Sequence, residues 1–430
     1  MRSDRPFCAA KSIFVIFVPL LLASTLIPAQ TQQATKFEVL HTFNGKDGAF
    51  PITQLTRDAT GNIYGTTSEG GTGVCTFGNS KVSCGTAFKL DKAGKQVWLH
   101  SFQYGGGESP MAGLLRDADG NLYGTTVYGG ENGSSCGAVK IGCGVVFKLD
   151  KNGTETVLHR FKGGTSDGQF PEALLIRDSA GNLYGTTIQG DQYDEGMAFK
   201  LDKAGTETIL FTFDVTDGAE PFPGVVSDVA GNLYGTTSDG GSCDEGTVFE
   251  LDTAGTETVL HNFCGGDGAY PLSALIWDDA GNLYGTTQEG GSSDVCDGGC
   301  GTVFELSPGS GGDWTEKVLY SFCSASGCTD GLGPLFGPLA RDVAGDLYGT
   351  TIFGGSHRNC NDDACGVVFK LDPSGNETVL HSFTGGVDGG NPKAGLTIDA
   401  AGNLYGTAAY GGDTKCDPPH GCGTAFKITP

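Results

Sequence analysis

The phrase Gly-Asn-Leu-Tyr-Gly-Thr-Thr, or a close variant of it, occurs seven times along this chain of 430 residues, and consecutive copies are 50 to 64 residues apart. This is the spacing of a β-propeller blade, whereas the coil of a parallel β-helix needs only about 20 to 25 residues. The repeat therefore predicts an all-β, seven-bladed β-propeller, and there is no eighth copy to support an eight-bladed ring. The tyrosines of the copies are Tyr64, Tyr123, Tyr184, Tyr234, Tyr284, Tyr348 and Tyr405.

Each repeat contains four short runs of β-type alternation that are separated by turn residues. In the third full repeat these runs are residues 171–178, 182–187, 196–202 and 207–213. Asp-x-x-Gly turns follow the first and third runs, and an aspartate there accepts a hydrogen bond from a backbone N–H two residues later. We therefore predict four antiparallel strands per blade, with these aspartates closing turns rather than forming a ring of calcium ligands.

The repeat is out of phase with the start and the end of the chain. A fourth-type run comes first, at 37–43, and a third-type run comes last, at 423–428. A ring whose first and last strands pair has no unpaired edge at its seam. We therefore predict one propeller domain over 37–430, preceded by a short linker at 30–36. Segment 37–43 should be the outer strand of the blade formed by 392–428.

Residues 1–29 differ in character from everything that follows them. Arg2, Arg5 and Lys11 precede an apolar stretch from Ser12 to Ile27. This is the pattern of a secretory signal peptide, and the alternative is an uncleaved membrane anchor. We predict a secreted protein, extracellular or periplasmic, with no membrane span after cleavage.

The charge balance is strongly acidic and limits the classes of partner. The formal net charge is −24, and it becomes −26 without residues 1–29. Such a surface repels phosphate backbones and anionic lipid headgroups. Nucleic acid is therefore excluded as an expected partner, whereas cations, basic peptides and neutral glycans remain. We expect a monomer.

The cysteines form a pattern typical of disulfides. Of 15 cysteines, Cys8 lies in the predicted signal peptide, which leaves 14. Most form close pairs in loops, and Cys243 and Cys264 lie at the adjacent ends of two neighbouring antiparallel strands. We predict seven disulfides and an oxidising compartment; the alternative, zinc, needs four ligands where each loop offers two. The predicted pairs are Cys75–Cys84, Cys136–Cys143, Cys243–Cys264, Cys296–Cys300, Cys323–Cys328, Cys360–Cys365 and Cys416–Cys422.

Five of the seven histidines occupy one position of the repeat, which holds Phe211 and Tyr320 in two other copies. Exchange with aromatic residues indicates packing, since a general base would be singular and paired with an orienting group. There is no nucleophile elbow and no His-Glu-x-x-His motif. His357 and His420 lie outside the repeat and remain the two histidines with a candidate functional role. The repeated histidines are His41, His100, His159, His261 and His381.

The turn that leads from each fourth run into the next first run has an acidic residue at a recurring position, usually as Asp-Gly shortly before a proline. We predict that these seven side chains face the channel mouth. Converging carboxylates would attract calcium or a cationic ligand. The alternative is an ordinary turn, because Asp-Gly is a common turn pair. The seven residues are Asp47, Glu108, Asp167, Asp217, Asp267, Asp330 and Asp388.

Two phrases of the repeat resemble a known family. Leu-Tyr-Gly-Thr-Thr-x-x-Gly-Gly at 233–241, followed by Gly-Thr-Val-Phe-x-Leu at 246–251, resembles the Gloeo/Verruco (GloVer) tandem repeat, and the resemblance covers 37–430. The Asp-x-x-Gly-Asn-Leu-Tyr core is also similar to NHL and SMP-30-like propellers, in which the run ending at that Asp is the innermost strand. The resemblance implies that the first run lines the channel and the fourth forms the rim, in a secreted or surface-attached bacterial protein of undefined activity.

The sequence favours a non-enzymatic binding or scaffold protein. Its polar residues follow the repeat, and no asymmetric catalytic set is evident. We expect loops 68–84, 127–143, 288–300, 352–365 and 409–422 on one face, presented to a glycan or protein partner. The alternative is an extracellular, calcium-dependent enzyme, a lactonase, lyase or glycoside hydrolase, with its site at the channel mouth. Non-repeat acidic residues or histidines that converge in one pocket would favour the enzyme.

Overall fold

The computed structural model describes residues 35–77, 80–130, 136, 141–190, 192–357, 360 and 365–430. The predicted signal peptide and most of the predicted linker lie outside these ranges. The described part forms a seven-bladed β-propeller, as the repeat predicts, and its one helical element is a short 3-10 turn, Ser326–Cys328. Across these ranges, no helix has the length and apolarity to span a membrane.

Each blade is a sheet of four antiparallel strands, and two further pairs of strands lie in loops. From the innermost strand outwards, the blades are Thr56–Arg57, Ile63–Thr67, Thr86–Leu90 and Gln96–Ser101 (blade 1); Leu115–Arg116, Leu122–Thr126, Val145–Leu149 and Glu155–Arg160 (blade 2); Ile176–Arg177, Leu183–Thr187, Met197–Leu201 and Glu207–Thr212 (blade 3); Val225–Ser227, Leu233–Thr237, Thr247–Leu251 and Glu257–Asn262 (blade 4); Ile276–Trp277, Leu283–Thr287, Thr302–Pro308 and Trp314–Ser321 (blade 5); Ala340–Arg341, Leu347–Thr351, Val367–Leu371 and Glu377–Ser382 (blade 6); Thr397–Ile398, Leu404–Ala408, Thr424–Thr429 and Lys36–Thr42 (blade 7). The loop pairs are Val74–Phe77 with Ser80–Ser83, and Gly168–Gln169 with Gln189–Gly190.

Blade 7 closes the ring in the way that the offset of the repeat predicts. Its outer strand, Lys36–Thr42, pairs antiparallel with Thr424–Thr429, and Val39 lies opposite Phe426. The first and last strands of the described chain are thus hydrogen-bonded to each other. The predicted pairing of the two ends is confirmed.

The innermost strands are much shorter than predicted. In blade 3 the ladder covers Ile176–Arg177 only, whereas the alternation predicts a strand over 171–178. Pro171 has no N–H to donate, and Phe170 before it has a left-handed backbone, with φ 60°. The segment between them and the ladder instead contacts the preceding blade, where the Thr125 hydroxyl donates to the carbonyl of Ala173.

Phenylalanines join each blade to the next. Phe43, just after the outer strand of blade 7, packs edge-on against Phe88 of blade 1 with ring centroids 5.1 Å apart, and both are fully buried. Such edge-to-face pairs contribute about 0.5–1.5 kcal/mol beyond area burial. The glycine of the repeated phrase makes room for this ring, because a Cβ on Gly65 would lie 2.7 Å from Phe88. Equivalent pairs are Phe102–Phe147, Phe161–Phe199, Phe213–Phe249, Phe263–Phe304, Phe322–Phe369 and Phe383–Phe426.

The aspartate of each Asp-x-x-Gly turn between the first and second strands is held within its own blade. Asp58 accepts hydrogen bonds from the backbone N–H and the side-chain amide of Asn62, at 2.9 and 2.8 Å, and from the hydroxyl of Tyr64 at 3.0 Å. The Asn and the Tyr of the repeated phrase are therefore partners of the turn aspartate. This arrangement agrees with a structural role for the turn.

Candidate functional site

The two faces of the propeller carry different connections. We call the face with the Asp-x-x-Gly turns the turn face. The opposite face, called the loop face, carries the connections between second and third strands and those that lead from each outer strand to the next blade. The structure contains the seven disulfides Cys75–Cys84, Cys136–Cys143, Cys243–Cys264, Cys296–Cys300, Cys323–Cys328, Cys360–Cys365 and Cys416–Cys422.

These disulfides have two consequences for the site. Their cysteines offer no thiolates to zinc, and so many disulfides indicate an oxidising location, extracellular or periplasmic. The bonds also close loops of the loop face, which stabilises a preformed surface there.

The seven acidic residues predicted to face the channel mouth lie instead in the clefts between blades, near the outer strands. His41 of the outer strand of blade 7 approaches the carboxylate of Asp47 to 3.2 Å, and the backbone carbonyl of Asp47 accepts from Thr86 in the third strand of blade 1. His261–Asp267 and His381–Asp388 repeat the contact at 3.0 and 3.1 Å. Among the described residues, the structure does not bring three of these acids together.

The repeated histidines pack as the sequence predicts, and four of the five also contact these acids. The ring of His41 lies edge-on to Phe43, two residues later, with centroids 4.8 Å apart. Phe211 and Tyr320, which occupy the same position in two blades, make the same edge contact with Phe213 and Phe322. The position is therefore filled by an aromatic ring, and a polar ring can add an acid partner, since the hydroxyl of Tyr320 donates to Asp330 at 2.8 Å.

A glutamate from the next blade completes most of these clefts, which we call junctions. This glutamate lies at or near the start of the outer strand. Burial raises its pKa to about 7 in four blades, and the charge of a neighbouring aspartate adds to the effect. The four residues are Glu207, Glu257, Glu316 and Glu377. Two junctions hold a histidine and two carboxylates whose ligand atoms all lie within 4.8 Å of one another. These groups are His159, Asp167 and Glu207, and His261, Asp267 and Glu316.

The channel mouth is bordered by a ring of residues that each precede a proline. Phe50 has a left-handed backbone, with φ 55°. Its N–H donates to the carbonyl of Cys422 in blade 7, and its own carbonyl accepts from Ser68 in blade 1. A bulky residue in this conformation is uncommon and is sustained by its surroundings. The other members are Ser109, Phe170, Glu220, Tyr270, Gly333 and Asn391, all with positive φ.

One sector of the mouth, over blades 3 to 5, is acidic. Burial, and then the charge of Glu220, raise the pKa of Glu172 to about 8. Burial, followed by the charges of Asp239 and Glu195, also raises the pKa of Glu220. The pKa of Glu245 is raised by burial and by nearby acidic groups. Carboxyl groups in this sector therefore retain protons more strongly than ordinary surface acids do.

The wall of the channel below the mouth is mainly apolar. Ile52, Met111 and Phe222 line it together with Glu172, and Phe222 stacks on Phe336 with centroids 5.0 Å apart. The position after each ring proline is apolar in five blades, but it is Glu172 in blade 3 and Lys393 in blade 7. Burial lowers the pKa of Lys393. The two charged residues break the symmetry of the channel.

A cleft of ≈ 440 Å³ lies beside the Cys416–Cys422 loop, between blades 7 and 1, and is lined by Phe50, Glu69 and Asp417. Phe50 packs edge-on against Tyr410, with centroids 5.4 Å apart. Burial and the charge of Asp417 raise the pKa of Glu69. The cleft therefore combines aromatic rings with acidic groups next to a disulfide-closed loop.

The two non-repeat histidines have different surroundings. His420 lies in the Cys416–Cys422 loop, with its ring 5.7 Å from that of Tyr410, and other residues of this loop line the acidic cleft. His357 lies in the loop of blade 6, where its carbonyl accepts from the N–H of Cys365. Only His420 is thus close to a candidate binding surface.

The model of the Gloeobacter/Verrucomicrobia repeat family matches residues 26–135, 73–297 and 292–430. The chain belongs to this family. This agrees with the resemblance of the repeated phrases, and no curated protein matches the sequence.

Solved structures share the fold at low sequence identity. The extracellular domain of a candidate one-component system from B. thetaiotaomicron is 13% identical, with a TM-score of 0.50, and the match covers 92% of this chain and 42% of that one. A gluconolactonase from Xanthomonas campestris is 15% identical over 66% of this chain and 78% of that one, with a TM-score of 0.39. A protein of unknown function from Dyadobacter fermentans is 11% identical over 92% and 99%, with a TM-score of 0.45. At this identity the likeness concerns the fold alone.

Sequence reasoning missed the charged residues of the channel and the third member of the junctions. Glu172 and Lys393 could have been found, because each replaces an apolar residue at one fixed position after a proline. Glu207 and its equivalents are part of the repeat, and their sequence position does not reveal that they meet the acid of the preceding turn. That meeting depends on how neighbouring blades pack.

Proposed function

We propose that the protein is an extracellular binding propeller whose loop face recognises a glycan without negative charge. The observation that carries the proposal is the cleft lined by Phe50, Glu69 and Asp417, together with Tyr410, whose ring packs edge-on against Phe50. Binding sites for small polar ligands are typically concave, with aromatic walls and a few placed polar groups. Aromatic rings provide apolar contact for the C–H faces of a sugar, and carboxylates accept hydrogen bonds from its hydroxyls.

The charge of the protein supports this class of ligand. The chain carries a formal net charge of −24, and the cleft itself contains two acidic residues, so sulfated or uronic-acid glycans would be repelled. The disulfide Cys416–Cys422 closes the loop beside the cleft. A surface that is ordered before binding loses less conformational entropy when the ligand binds.

A glycan array that includes neutral, amino-sugar and anionic glycans tests the proposal. We expect wild-type protein to bind neutral or amino-sugar glycans, and Tyr410→Ala to lower the affinity about tenfold, the effect of losing an aromatic contact of about 1.4 kcal/mol. Tyr104→Ala is the matched control, because Tyr104 is an exposed tyrosine in the turn after the outer strand of blade 1.

Equal binding by Tyr410→Ala and Tyr104→Ala would place the site elsewhere on the surface. If the protein binds no glycan on the array and instead binds another protein through this cleft, the partner is a protein and the glycan proposal is wrong. Repeating the array with calcium and with a chelator tests whether glycan binding needs calcium, which the sequence analysis expected of the enzyme alternative.

A second candidate, an enzyme at the channel mouth, is favoured by one observation. The pKa of Glu172 is raised to about 8 by burial and by Glu220, so this carboxyl is protonated at neutral pH and able to act as a general acid. Lactone and glycoside hydrolysis assays on wild type and Glu172→Gln separate the two candidates. Turnover that Glu172→Gln abolishes supports the enzyme, whereas binding without turnover supports the binding protein.

A further inference from the structure

The junction between blades 2 and 3 joins three potential metal ligands from separate places in the chain. His159 comes from the outer strand of blade 2, Asp167 from the turn that follows it, and Glu207 from the first position of the outer strand of blade 3. Their ligand atoms all lie within 4.8 Å of one another. The side chains of His159, Asp167 and Glu207 are only 16%, 10% and 13% exposed.

This junction differs from those that are closed by a hydrogen bond. The Nε2 atom of His159 lies 3.7 Å from Asp167 Oδ1 and 3.7 Å from Glu207 Oε2, whereas His381 is only 3.1 Å from Asp388 in the junction between blades 6 and 7. Within the described ranges, His159 Nε2, Asp167 Oδ1 and Glu207 Oε1 are buried and have no hydrogen-bond partner. Buried polar atoms without a partner are rare in folded proteins and indicate a missing ligand or water.

The spacing of these atoms suits a bound cation better than it suits a hydrogen bond. Ligand atoms around a tetrahedral ion with bonds of about 2.0–2.1 Å lie about 3.3 Å from one another. The two distances of 3.7 Å at His159 are a few tenths of an ångström longer, and the carboxylate oxygens lie within 4.8 Å of each other, so rotations of the side chains can bring the three atoms around one ion. Both acids already converge on the one imidazole nitrogen.

The types of ligand indicate which ion would bind. Calcium takes oxygen ligands, usually six to eight of them, and three groups that include an imidazole do not match that preference. One imidazole and two carboxylates match zinc and similar transition ions. The nearby Lys162 does not block the site, since its side chain is exposed and its backbone N–H donates to the other carboxylate oxygen, Asp167 Oδ2.

We propose that His159, Asp167 and Glu207 bind one zinc-class divalent cation, which links blade 2 to blade 3. Water supplies the remaining coordination position. The cation also offsets the repulsion between the two carboxylates, whose oxygens lie within 4.8 Å of each other. Because the ion binds the folded chain, it stabilises the fold.

The other junctions supply natural controls. In the junction between blades 3 and 4 the histidine position holds Phe211, and in the junction between blades 6 and 7 the glutamate position holds Phe37, whose ring stacks on His381 at 3.8 Å. The group formed by His261, Asp267 and Glu316 has the same three residue types. Its histidine and aspartate are already hydrogen-bonded to each other at 3.0 Å, so the histidine nitrogen is not free to bind an ion.

Metal content and a spectroscopic probe test the proposal on the complete propeller, residues 30–430. The protein is treated with chelator, dialysed against micromolar Zn²⁺ and analysed for bound metal, and Co²⁺ is then added to record its visible d–d absorption. The variants are His159→Phe, which copies the residue found in the next blade, and Glu207→Gln. The matched control is His381→Phe, which removes a histidine from a junction that has no glutamate.

We expect wild type and His381→Phe to bind the same number of ions, and His159→Phe and Glu207→Gln each to bind one fewer. Zinc should raise the unfolding midpoint of wild type and leave that of His159→Phe unchanged. Circular dichroism verifies that each variant is folded. Equal metal content in all four proteins, or no Co²⁺ absorption in wild type, would overturn the proposal.

Discussion

The turn face and the loop face use acidic residues in opposite ways. On the turn face, each repeated aspartate accepts hydrogen bonds from its own turn, as Asp117 does from the backbone and side chain of Asn121 and from Tyr123. Burial alone would raise the pKa of Asp117, but these hydrogen bonds outweigh it and lower the pKa. On the loop face, Glu108 is 4% exposed, its Oε1 has no partner among the described residues, and burial raises its pKa to about 7.

This contrast shows what a repeated acidic residue can mean. An aspartate whose donors lie in its own turn is part of the blade, and its repetition needs no ligand to explain it. An acid that meets another acid from the next blade is destabilised by burial and by like charge. Binding of a proton or a cation to such an acid removes this repulsion and stabilises the folded state. We therefore expect binding on the loop face.

Removing a covalent link should have the largest effect. Cys243 and Cys264 are 21 residues apart, whereas Cys296 and Cys300 are 4 apart. In the chain-entropy account the longer loop contributes about 3 kcal/mol and the shorter about 2 kcal/mol. We expect the double variant Cys243→Ser/Cys264→Ser to lose that larger amount in urea unfolding. The comparison variant is Cys296→Ser/Cys300→Ser, which should lose only the smaller amount. If the two double variants lose the same free energy of unfolding, loop length does not set the stability of the loop face.

Removing a turn aspartate should have the next largest effect. Asp117→Ala leaves the donors of the half-buried Asn121 and the buried Tyr123 without their acceptor, and we expect the free energy of unfolding to fall by about 2 kcal/mol. The control is Asp252→Ala, in an exposed turn of the same face, where Asp252 accepts from Ala254 and Thr256. We expect that variant to lose less than half as much. Similar losses would mean that burial does not distinguish the two kinds of turn.

The turn face and the architecture were predictable from the sequence because they depend on local spacing. The phrase that contains Asn62 and Tyr64 repeats seven times, and its turn forms from residues within one blade. Ring closure was also predictable, because the first run of the domain is the outer strand that the last blade lacks. The disulfides of the structure are the predicted pairs, since most of their cysteines are close in sequence.

The position of the acids on the loop face was not predictable in the same way. Asp167 meets Glu207, which is 40 residues later in the sequence, only because blade 3 packs against blade 2. The predicted convergence at the channel mouth assumed that the turn points inward. In the structure the carboxylate of Asp267 turns toward His261, on the outer strand before it, and that direction is set by tertiary packing.

A junction acid should give a smaller, pH-dependent effect. Burial, and then the charges of Asp217 and Asp214, raise the pKa of Glu257 from 4.5 to about 7. The folded protein therefore holds the proton more tightly than the unfolded chain does, so stability is highest below about pH 4.5 and falls as the pH rises toward about 7. Glu257→Gln has no titrating carboxyl at this position, so it does not lose this stability as the pH rises. We expect it to be about 1 kcal/mol more stable than wild type at pH 8, after allowance for solvent screening of a half-buried group.

Urea unfolding at pH 4.5 and pH 8 measures this difference. The control is Glu38→Gln, since Glu38 is exposed on the outer strand of blade 7 and pairs with Lys36. A stability gain for Glu257→Gln that is the same at both pH values would contradict the assignment to a buried, titrating acid.

The smallest effect is expected at the one turn that departs from the repeat. Blade 6 has Asp346 where the other blades have asparagine, and its carboxylate pairs with Lys370 at 2.5 Å. Asp346→Asn removes this partly exposed ion pair but supplies an amide that can donate to Asp342, as Asn232 donates to Asp228 in blade 4. We expect a change within about 0.5 kcal/mol, together with a weaker dependence of stability on salt. A loss above about 1 kcal/mol in the free energy of unfolding would mean that the ion pair with Lys370 stabilises blade 6. The hydrogen bonds within the turns would then not be enough to explain the stability of the turn face.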